Sequence, residues 1–543
     1  MRRPRIAVVG GGFAGVYTAL ALERALARRD DFELVLVNKE NYFVFQPMLP
    51  EVLSGSIGIL DVVSPIRRLL PRTELHVREV ESIDLARREI RTAPGFRPQP
   101  HVVPYDHLVI ALGTVTDFRG LRGLPEHALP FKNLGDALHL RNHVIHALEE
   151  AAIEADPALR RELLTFVVAG GGFSGVEVAA ELNDFVRGVA RSYRGLDPSE
   201  IKVLLVHSGP RILPEVSEKL ALFAQRILGK RGVELRLSER LGAATGDEAV
   251  LESGERVPTR TLVSTVPSFP HPLVETLDLP KSRTGRLLVS PELRVEGSDH
   301  VWALGDAAAV PTADGSPAPP TAQHATRQAE VAAHNLLAAL RGGATRSFDF
   351  RGLGKMGSLG HRSAVAEVLG FQISGFPAWW LWRTIYLFKL PGWGRRLKVA
   401  TSWTLDVLLP PELVQLKLGG SRGIHREHFE PGQEVFRQGD LGDRIYIILE
   451  GRVEVVRSEA GERGNERRLA ELGPGESFGE MALLNESTRT ATVRCLEAMD
   501  VLSLPKGDFT ALTSNLPDLR RSFEGMARSR ERAVMREPPP PGS

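Results

Sequence analysis

The sequence predicts an α/β protein of several domains: two Rossmann-like dinucleotide-binding units, one inserted in the other, then a helical segment and a C-terminal β roll. Three observations carry this. Ile6-Ala-Val-Val-Gly-Gly-Gly-Phe-Ala-Gly15 and Phe166-Val-Val-Ala-Gly-Gly-Gly-Phe-Ser-Gly175 are near copies. Each is a β-branched run that breaks into G-x-G-x-x-G and continues as helix-compatible sequence. That pattern is a strand, a tight turn and a helix N-terminus whose bare amides suit a pyrophosphate. Strand–glycine–helix alternation then fills residues 1–350, the texture of an α/β fold. From about residue 424, short alternating strands are separated by Pro-Gly, Gly-Asp and Glu-Gly turns, the texture of a small β barrel or roll.

At 543 residues the chain exceeds a single core, and 43% hydrophobic with 25% charged residues describes globular domains. A net charge of +1 offers nucleic acid no electrostatic footprint. The single cysteine, Cys495, excludes intrachain disulfides, a thiolate metal cluster and the redox cysteine pair of flavoprotein disulfide reductases. It fits a reducing compartment, and no metal is expected. Strand-like Ile6 to Val9 follows Met1-Arg-Arg too closely for a secretory signal, and no apolar run reaches the ~18 residues of a membrane span. The tail Pro538-Pro-Pro-Pro-Gly-Ser543 is expected to be disordered.

In the first unit Gly10 serves the tight turn, Gly12 the pyrophosphate approach and Gly15 helix packing, with Phe13 and Ala14 between them. Leu34-Val-Leu-Val37 is its second strand. The acid expected near that strand's end, for a ribose hydroxyl, is displaced: Asn38 stands there, Lys39 follows, and Glu40 is the nearest carboxylate. Tyr105-Asp-His-Leu-Val-Ile-Ala-Leu-Gly-Thr114 reads as a strand whose turn at Gly113 returns the chain to this cofactor. His300-Val-Trp-Ala-Leu-Gly-Asp-Ala307 delivers Asp306 at a glycine turn, where its carboxylate can accept a flavin ribityl hydroxyl. The same residue also suits a helix N-cap.

Asn41-Tyr-Phe-Val-Phe-Gln-Pro-Met-Leu-Pro50, Leu304-Gly-Asp-Ala307 and Thr321-Ala-Gln-His-Ala-Thr-Arg-Gln328 join the first glycine loop in a wider pattern. With them, the first ~410 residues resemble the type II NADH dehydrogenases, single-subunit NADH:quinone oxidoreductases. The resemblance implies non-covalent FAD, Gln46 and Pro47 near the flavin, and Ala322 and Gln323 beside its ring and a quinone tunnel. Residues 321–340 also read simply as an amphipathic helix capped by Thr321. The family's quinone-site helix carries two glutamines four residues apart on one face. Here Gln323 is followed by Arg327, with Gln328 next to it, so a guanidinium would face the quinone carbonyl.

Gly170, Gly172 and Gly175, with Phe173 and Ser174, form the second phosphate turn, and Val203-Leu-Leu-Val206 the second strand of that unit. Glu177 lies on the first turn of the following helix, where a carboxylate favours the helix dipole. The resemblance implies that it contacts the nicotinamide and assists proton transfer at the flavin. NADH enzymes of this kind place Glu or Asp at the end of the next strand, for both ribose hydroxyls. This chain has His207, then Ser208-Gly-Pro-Arg211. An imidazole cannot accept two hydrogen bonds, and Arg211 can approach a 2′-phosphate. NADH and NADPH both stay open as donors.

Five of the six tryptophans lie at 379, 380, 382, 393 and 403, interleaved with Arg383, Lys389, Arg395, Arg396 and Lys398. Too short and too charged to span a bilayer, this stretch reads as an interfacial helix with basic side chains towards anionic lipid. A dimer interface, or packing on the flavin domain, is the competing reading. The resemblance implies both membrane binding and homodimerisation, with a peripheral position on the cytoplasmic side of the cell membrane.

Residues 425–535 resemble a cyclic nucleotide-binding domain. The matching pieces are Phe429-Glu-Pro-Gly-Gln-Glu-Val-Phe-Arg-Gln-Gly-Asp440, Ile445-Tyr-Ile-Ile-Leu-Glu-Gly-Arg-Val453 and Phe478-Gly-Glu-Met-Ala-Leu-Leu-Asn-Glu-Ser-Thr-Arg-Thr-Ala-Thr492. The resemblance implies that Gly479 cradles the cyclic phosphate, Glu480 accepts from the ribose 2′-OH and Arg489 pairs with the phosphate oxygens, a planar donor matched to an anion. Thr490 can add a hydroxyl to the phosphate or to a guanine, so cAMP and cGMP both stay open, as does a roll that has lost its ligand. No basic helix-turn-helix follows, which argues against a transcription factor.

The predicted map is 1–119 with 271–375 for FAD, 120–270 for NAD(P)H, 376–418 for membrane association or dimerisation, 424–535 for the cyclic nucleotide and 536–543 as tail. Glu177, Gln323 and Arg327 are the candidate catalytic residues. The leading reading is an enzyme passing hydride from NAD(P)H to FAD and electrons to a membrane quinone, regulated by cAMP or cGMP. The alternatives are a cyclic-nucleotide sensor with a degenerate flavoprotein half, and an NAD(P)H-dependent reductase of a small electron-carrier protein.

Overall fold

A computed structural model describes residues 3–93, 101–116, 118, 121–265, 268–406, 412–416, 425–440, 442, 444–458, 466–484, 488–506, 509 and 525. Its first sheet takes β1 (Arg5–Val9), β2 (Glu33–Asn38), β3 (Glu74–Val77) and β4 (His107–Ile110) from the N-terminal part of the chain. The chain then builds a whole second sheet from β5 (Ala128–Pro130), β6 (Thr165–Ala169), β7 (Lys202–His207), β8 (Val233–Leu237) and β9 (Thr261–Ser264). Only afterwards does it return to add β10 (Val301–Ala303) to the first. The strand orders are β10-β4-β1-β2-β3 and β5-β9-β6-β7-β8, every pair parallel. The second unit is inserted in the first, as the sequence predicts. Ile6 to Val9 and Phe166 to Val168 are wholly buried, as central strands of sheets covered on both faces must be.

Helix α1 (Phe13–Leu26), the short α2 (Leu49–Ser54) and the four-residue α3 (Leu124–His127) precede α4 (Leu134–Ile153). A reciprocal capping box opens α4: Asp136 N donates to Asn133 Oδ1, and Asn133 N to Asp136 Oδ2. Helix α5 (Phe173–Ala190) follows β6, and α6 (Ala322–Arg341), capped by Thr321 and stopped by Gly342 in the left-handed region, packs along α1.

An antiparallel sheet of β11 (Gly354–Ser358), β12 (Ala364–Val368) and β13 (Phe371–Gly375) leads to helices α7 (Phe376–Lys389) and α8 (Trp393–Asp406). Among the described residues no helix is long and apolar enough to cross a membrane. The tryptophan-rich segment divides between an exposed and a buried face. Trp380, Phe388, Trp393 and Leu397 are exposed, but Trp382 and Trp403 are buried. Arg383 does not reach outwards either. It lies between the Trp379 and Trp403 rings and pairs with Glu51 at 3.4 Å and Asp406 at 3.8 Å. Its inward partners are the two indole faces, Asp406 and Glu51, a buried carboxyl on α2 that also accepts from Trp403 Nε1 at 3.1 Å. Burial still pushes Glu51 up to about 8.

The C-terminal part is the expected roll of two antiparallel sheets. Its strands are β14 (His425–Phe429), β15 (Glu434–Phe436), β16 (Arg444–Glu450), β17 (Val453–Ser458), β18 (Glu466–Leu472), β19 (Ser477–Phe478), β20 (Thr492–Cys495) and β21 (Met499–Pro505). They order as β14-β21-β16-β19 and β15-β20-β17-β18, with the short α9 (Glu480–Leu484) after β19. Cys495 is buried in its core, where desolvation pushes the thiol up to about 12 and leaves it unreactive. The tail 536–543 lies outside the described residues.

Candidate active site

The two glycine loops share one construction. Gly10 and Gly170 sit at φ +109° and +116°, and their amides close onto the carbonyls of Val37 and Val206, each at 2.9 Å. Any side chain at Gly15 or Gly175 would strike the carbonyl of Gly10 or Gly170, so these glycines bring helix against turn. In each unit the residue ending the second strand folds back to brace the loop. Asn38 Oδ1 accepts from Gly11 N at 2.8 Å, and His207 Nδ1 accepts from Gly171 N at 3.2 Å. Burial holds the His207 imidazole below its usual range, which suits an acceptor nitrogen. Arg211 is turned towards the Val216 carbonyl, 3.2 Å away, rather than outwards.

At the C-terminal edge of β1, where the strand order reverses, lies a cavity of about 400 Å³. Gly10, Gly12, Phe13 and Ala14 form its floor, and a side chain at Gly12 would meet nothing within 4 Å. Asn38 and Lys39 line one end; Gln46, Gly113, Asp306 and Ala322 line the other. Glu40, expected at the ribose end, is not part of the wall. Asn38 Nδ2 donates to its carbonyl at 2.8 Å, and that contact occupies the strand end. The carboxylate that the structure brings there is Glu79, beside Arg78, from the loop after β3. Asp306 is set by the turn at Gly305, whose amide donates to buried Gln328 Oε1 at 2.8 Å. Gln328 thus faces the turn, and Arg327 alone is left for the other side of α6.

A second cavity, of about 580 Å³, adjoins the first. Phe13, Gln46, Lys132, Thr321 and Ala322 belong to both walls. Beyond this seam lie Phe173, Ser174 and Glu177 from the start of α5, Gln323 and Arg327 from α6, and Tyr386 and Lys389 from α7. Glu177 Oε1 accepts from Ser358 N at 2.9 Å, and burial pushes its pKa up to about 8, so it is largely protonated near pH 7. Gln323 is held at both ends of its amide: Nε2 donates to Gly354 O and Oε1 accepts from Leu353 N, both at 3.1 Å. Arg327 is half exposed and pairs with Glu330 at 3.3 Å.

Lys132 went unnoticed in the sequence. It lies two residues beyond β5, and its Nζ donates to Thr114 Oγ1 at 2.7 Å and Ser268 Oγ at 3.3 Å. Burial lowers its pKa, with Asp306 acting in the opposite direction. No local spacing marks such a residue; only the meeting of the two units does.

In the roll, Gly479 (φ +89°), Glu480 and Arg489 come together, while Thr490 is exposed. Arg489 is buried over the Phe436 ring, its Nη1 donating to Gly479 O at 2.8 Å and its Nη2 to Arg444 O at 2.7 Å.

Two bare amide loops and a shared seam define a two-dinucleotide oxidoreductase, and comparison with known proteins agrees. Residues 4–329 match the pyridine nucleotide-disulphide oxidoreductase family, 353–409 the NDH2 C-terminal domain and 426–515 the cyclic nucleotide-binding domain. The chain is 32% identical over 424 residues to the type II NADH:quinone oxidoreductase NdhA of Mycobacterium tuberculosis, covering 75% of this chain and 87% of that one. It is 32% identical over 407 residues to the demethylphylloquinone reductase NdbB of Synechocystis, covering 74% and 96%. The structure of NDH2 from Plasmodium falciparum in complex with NADH shares the fold, with a TM-score of 0.71 at 18% identity over 76% of this chain and all of that one. The chain belongs to the type II NADH:quinone oxidoreductases, extended by a cyclic nucleotide-binding domain.

The family implies FAD and NADH. The residues of the first cavity fit FAD: the open amide cradle at Gly12 for the pyrophosphate, Asp306 for the ribityl chain and Glu79 for the ribose.

Proposed function

We propose that the chain oxidises NADH or NADPH, reduces a membrane quinone by way of FAD, and is regulated by cAMP or cGMP at the C-terminal roll. The observation that carries this is the seam. Phe13, Gln46, Lys132, Thr321 and Ala322 would hold the flavin where the cavity lined by the Gly12 loop meets the cavity lined by Glu177 and Gln323. FAD held there would accept a hydride from the nicotinamide and pass two electrons on. The loop at Gly172 and the start of α5 receive the donor's pyrophosphate. Glu177 holds a proton at the second cavity, aimed by the Ser358 amide. The braced amide of Gln323 keeps the α6 wall fixed, and Arg327 offers a donor at the rim.

Tyr386 and Lys389 on α7 close this cavity, and the exposed Trp380, Phe388, Trp393 and Leu397 lie on α7 and α8. That arrangement supports a peripheral membrane face through which an apolar quinone reaches the site. His207 braces the loop and Arg211 turns to the Val216 carbonyl, while Glu215 Oε1 lies 3.2 Å from where a side chain at Gly172 would begin. The donor end thus offers a carboxylate for ribose hydroxyls and no phosphate clamp from Arg211, and NADH and NADPH are the two donors to compare.

The test is anaerobic stopped flow. NADH and NADPH are each expected to bleach the flavin, and a soluble quinone to restore it within turnover time. A flavin that neither donor bleaches would sink the enzyme reading; one restored only by a small electron-carrier protein would sink the quinone.

A further inference from the structure

The C-terminal roll meets the inserted unit along a small, partly buried polar seam. On one side is α3; on the other are β14 and the turn after it. His127 Nε2 lies 2.8 Å from His428 O, Arg426 lies 3.5 Å from Glu126, and Arg122 lies 3.6 Å from Glu430. Gln433 Nε2 donates to Asp247 Oδ1 at 2.9 Å. Gly123, at φ +70°, lets the chain turn hard against this contact, since a side chain there would come within 2.9 Å of the His428 ring.

Both sides of the seam lead directly to a site. Within the roll, Glu427 precedes His428 and accepts from Arg444 Nη1 at 2.6 Å, and the Arg444 carbonyl accepts from Arg489. Phe429, which follows His428, packs edge-on against Tyr446, and Tyr446 stacks on Phe478 next to Gly479. Within the oxidoreductase, α3 runs straight into the three-residue β5, and β5 into Phe131 and Lys132 at the second cavity. Only β5 and Phe131 separate His127, in contact with the roll, from Lys132, on the flavin seam.

We propose that α3 and β5 are the coupling element through which the roll acts on the flavin site. This rests on the reading of the roll as a nucleotide sensor. A cyclic phosphate is a stronger acceptor for a guanidinium than a neutral carbonyl. Its arrival draws Arg489 from the carbonyls of Gly479 and Arg444, which releases the Arg444–Glu427 anchor of β14. The shift is felt at His127, and β5, a short edge strand whose one strand partner among the described residues is β9, carries it to Lys132. Ligand and flavin state must then alter each other's equilibria reciprocally.

The experiment uses full-length, FAD-loaded protein, wild type and the variants His127→Ala and Gln433→Ala, titrated with cAMP and with cGMP. Three readouts are taken: nucleotide Kd in the oxidised and NADH-reduced protein, the flavin absorbance spectrum, and the NADH:quinone rate. In the wild type, nucleotide is expected to perturb the spectrum, to change the rate about fivefold or more, and to bind with a Kd that depends on flavin state. Both variants are expected to keep their Kd within about twofold while the spectral and rate responses fall away. Gln433→Ala removes the contact with Asp247 and one local bond, the 3.1 Å donation from Glu430 N to Gln433 Oε1, and carries the test if His127→Ala impairs folding. Variants that retain the full response, or a wild type that binds nucleotide with no change at the flavin, overturn the coupling. A wild type that binds neither nucleotide overturns the sensor reading and the coupling with it.

Discussion

The Ser358 amide donates to Glu177 Oε1 at 2.9 Å, and so a half-buried carboxyl on α5, in the wall of the second cavity, is tied to β11. Burial outweighs that bond and pushes the group up to about 8. The proton is therefore present through neutral pH and lost as pH rises through about 8. Quinone reduction is expected to slow on that limb. Glu177→Gln should lower kcat by about 10²-fold and remove the limb, since an amide cannot titrate. Profiles of kcat against pH for both proteins check this; an unchanged limb in the variant assigns it to another group.

Lys132 places its ammonium at the seam, 2.7 Å from Thr114 Oγ1. A cation there favours the reduced flavin, which carries the added negative charge. Lys132→Met is expected to lower the two-electron midpoint potential by about 30–60 mV, where 30 mV corresponds to about 1.4 kcal/mol. Spectroelectrochemical titration of the bound flavin reads this directly. An unshifted potential would place the ammonium out of range of the ring.

Glu51 is buried and its folded pKa is raised to about 8 from an unfolded value near 4.5. Below the lower value both states are protonated and this group costs nothing. Between the two, the unfolded chain releases the proton and the folded one retains it. Stability therefore falls as pH rises through this window, by at most about 1.4 kcal/mol per pH unit, until the folded group also ionises. Glu51→Gln is expected to melt like the wild type near pH 5 and several degrees above it near pH 8.5. Parallel melting curves across that range would refute the assignment.

Phe388 and Trp393 are exposed on neighbouring helices with no partner surface among the described residues. Replacing both by Ser is expected to shift the protein from vesicles to supernatant by about tenfold in partition, through lost apolar burial. The rate with a water-soluble quinone should hardly change. Unaltered sedimentation with anionic vesicles would remove this face from the membrane contact.

Local sequence made the nucleotide frame legible because its physics is local. Gly10 and Gly170 need a positive φ, the strands before them need unbroken apolar runs, and the helices after them need small residues at Gly15 and Gly175. Each requirement leaves its mark within ten residues, and both loops, the insertion of one unit in the other and the β roll were readable for that reason. The family pattern also pointed to Asp306, Gln323 and Glu177, which the structure gathers around two adjoining cavities. Where a side chain turns is a different kind of fact. Glu40 was the nearest acid in the chain, yet Glu79 from the loop after β3 reaches the cavity, because parallel strands bring distant ends to one edge. Arg383 looked like a lipid-facing cation, yet it turns inwards to two indole faces, Asp406 and Glu51, the last far away in sequence. Lys132 and His127 carry no motif at all. Their places at the flavin seam and at the roll come from the docking of separate units, and contacts between residues remote along the chain are decided by packing and charge in three dimensions.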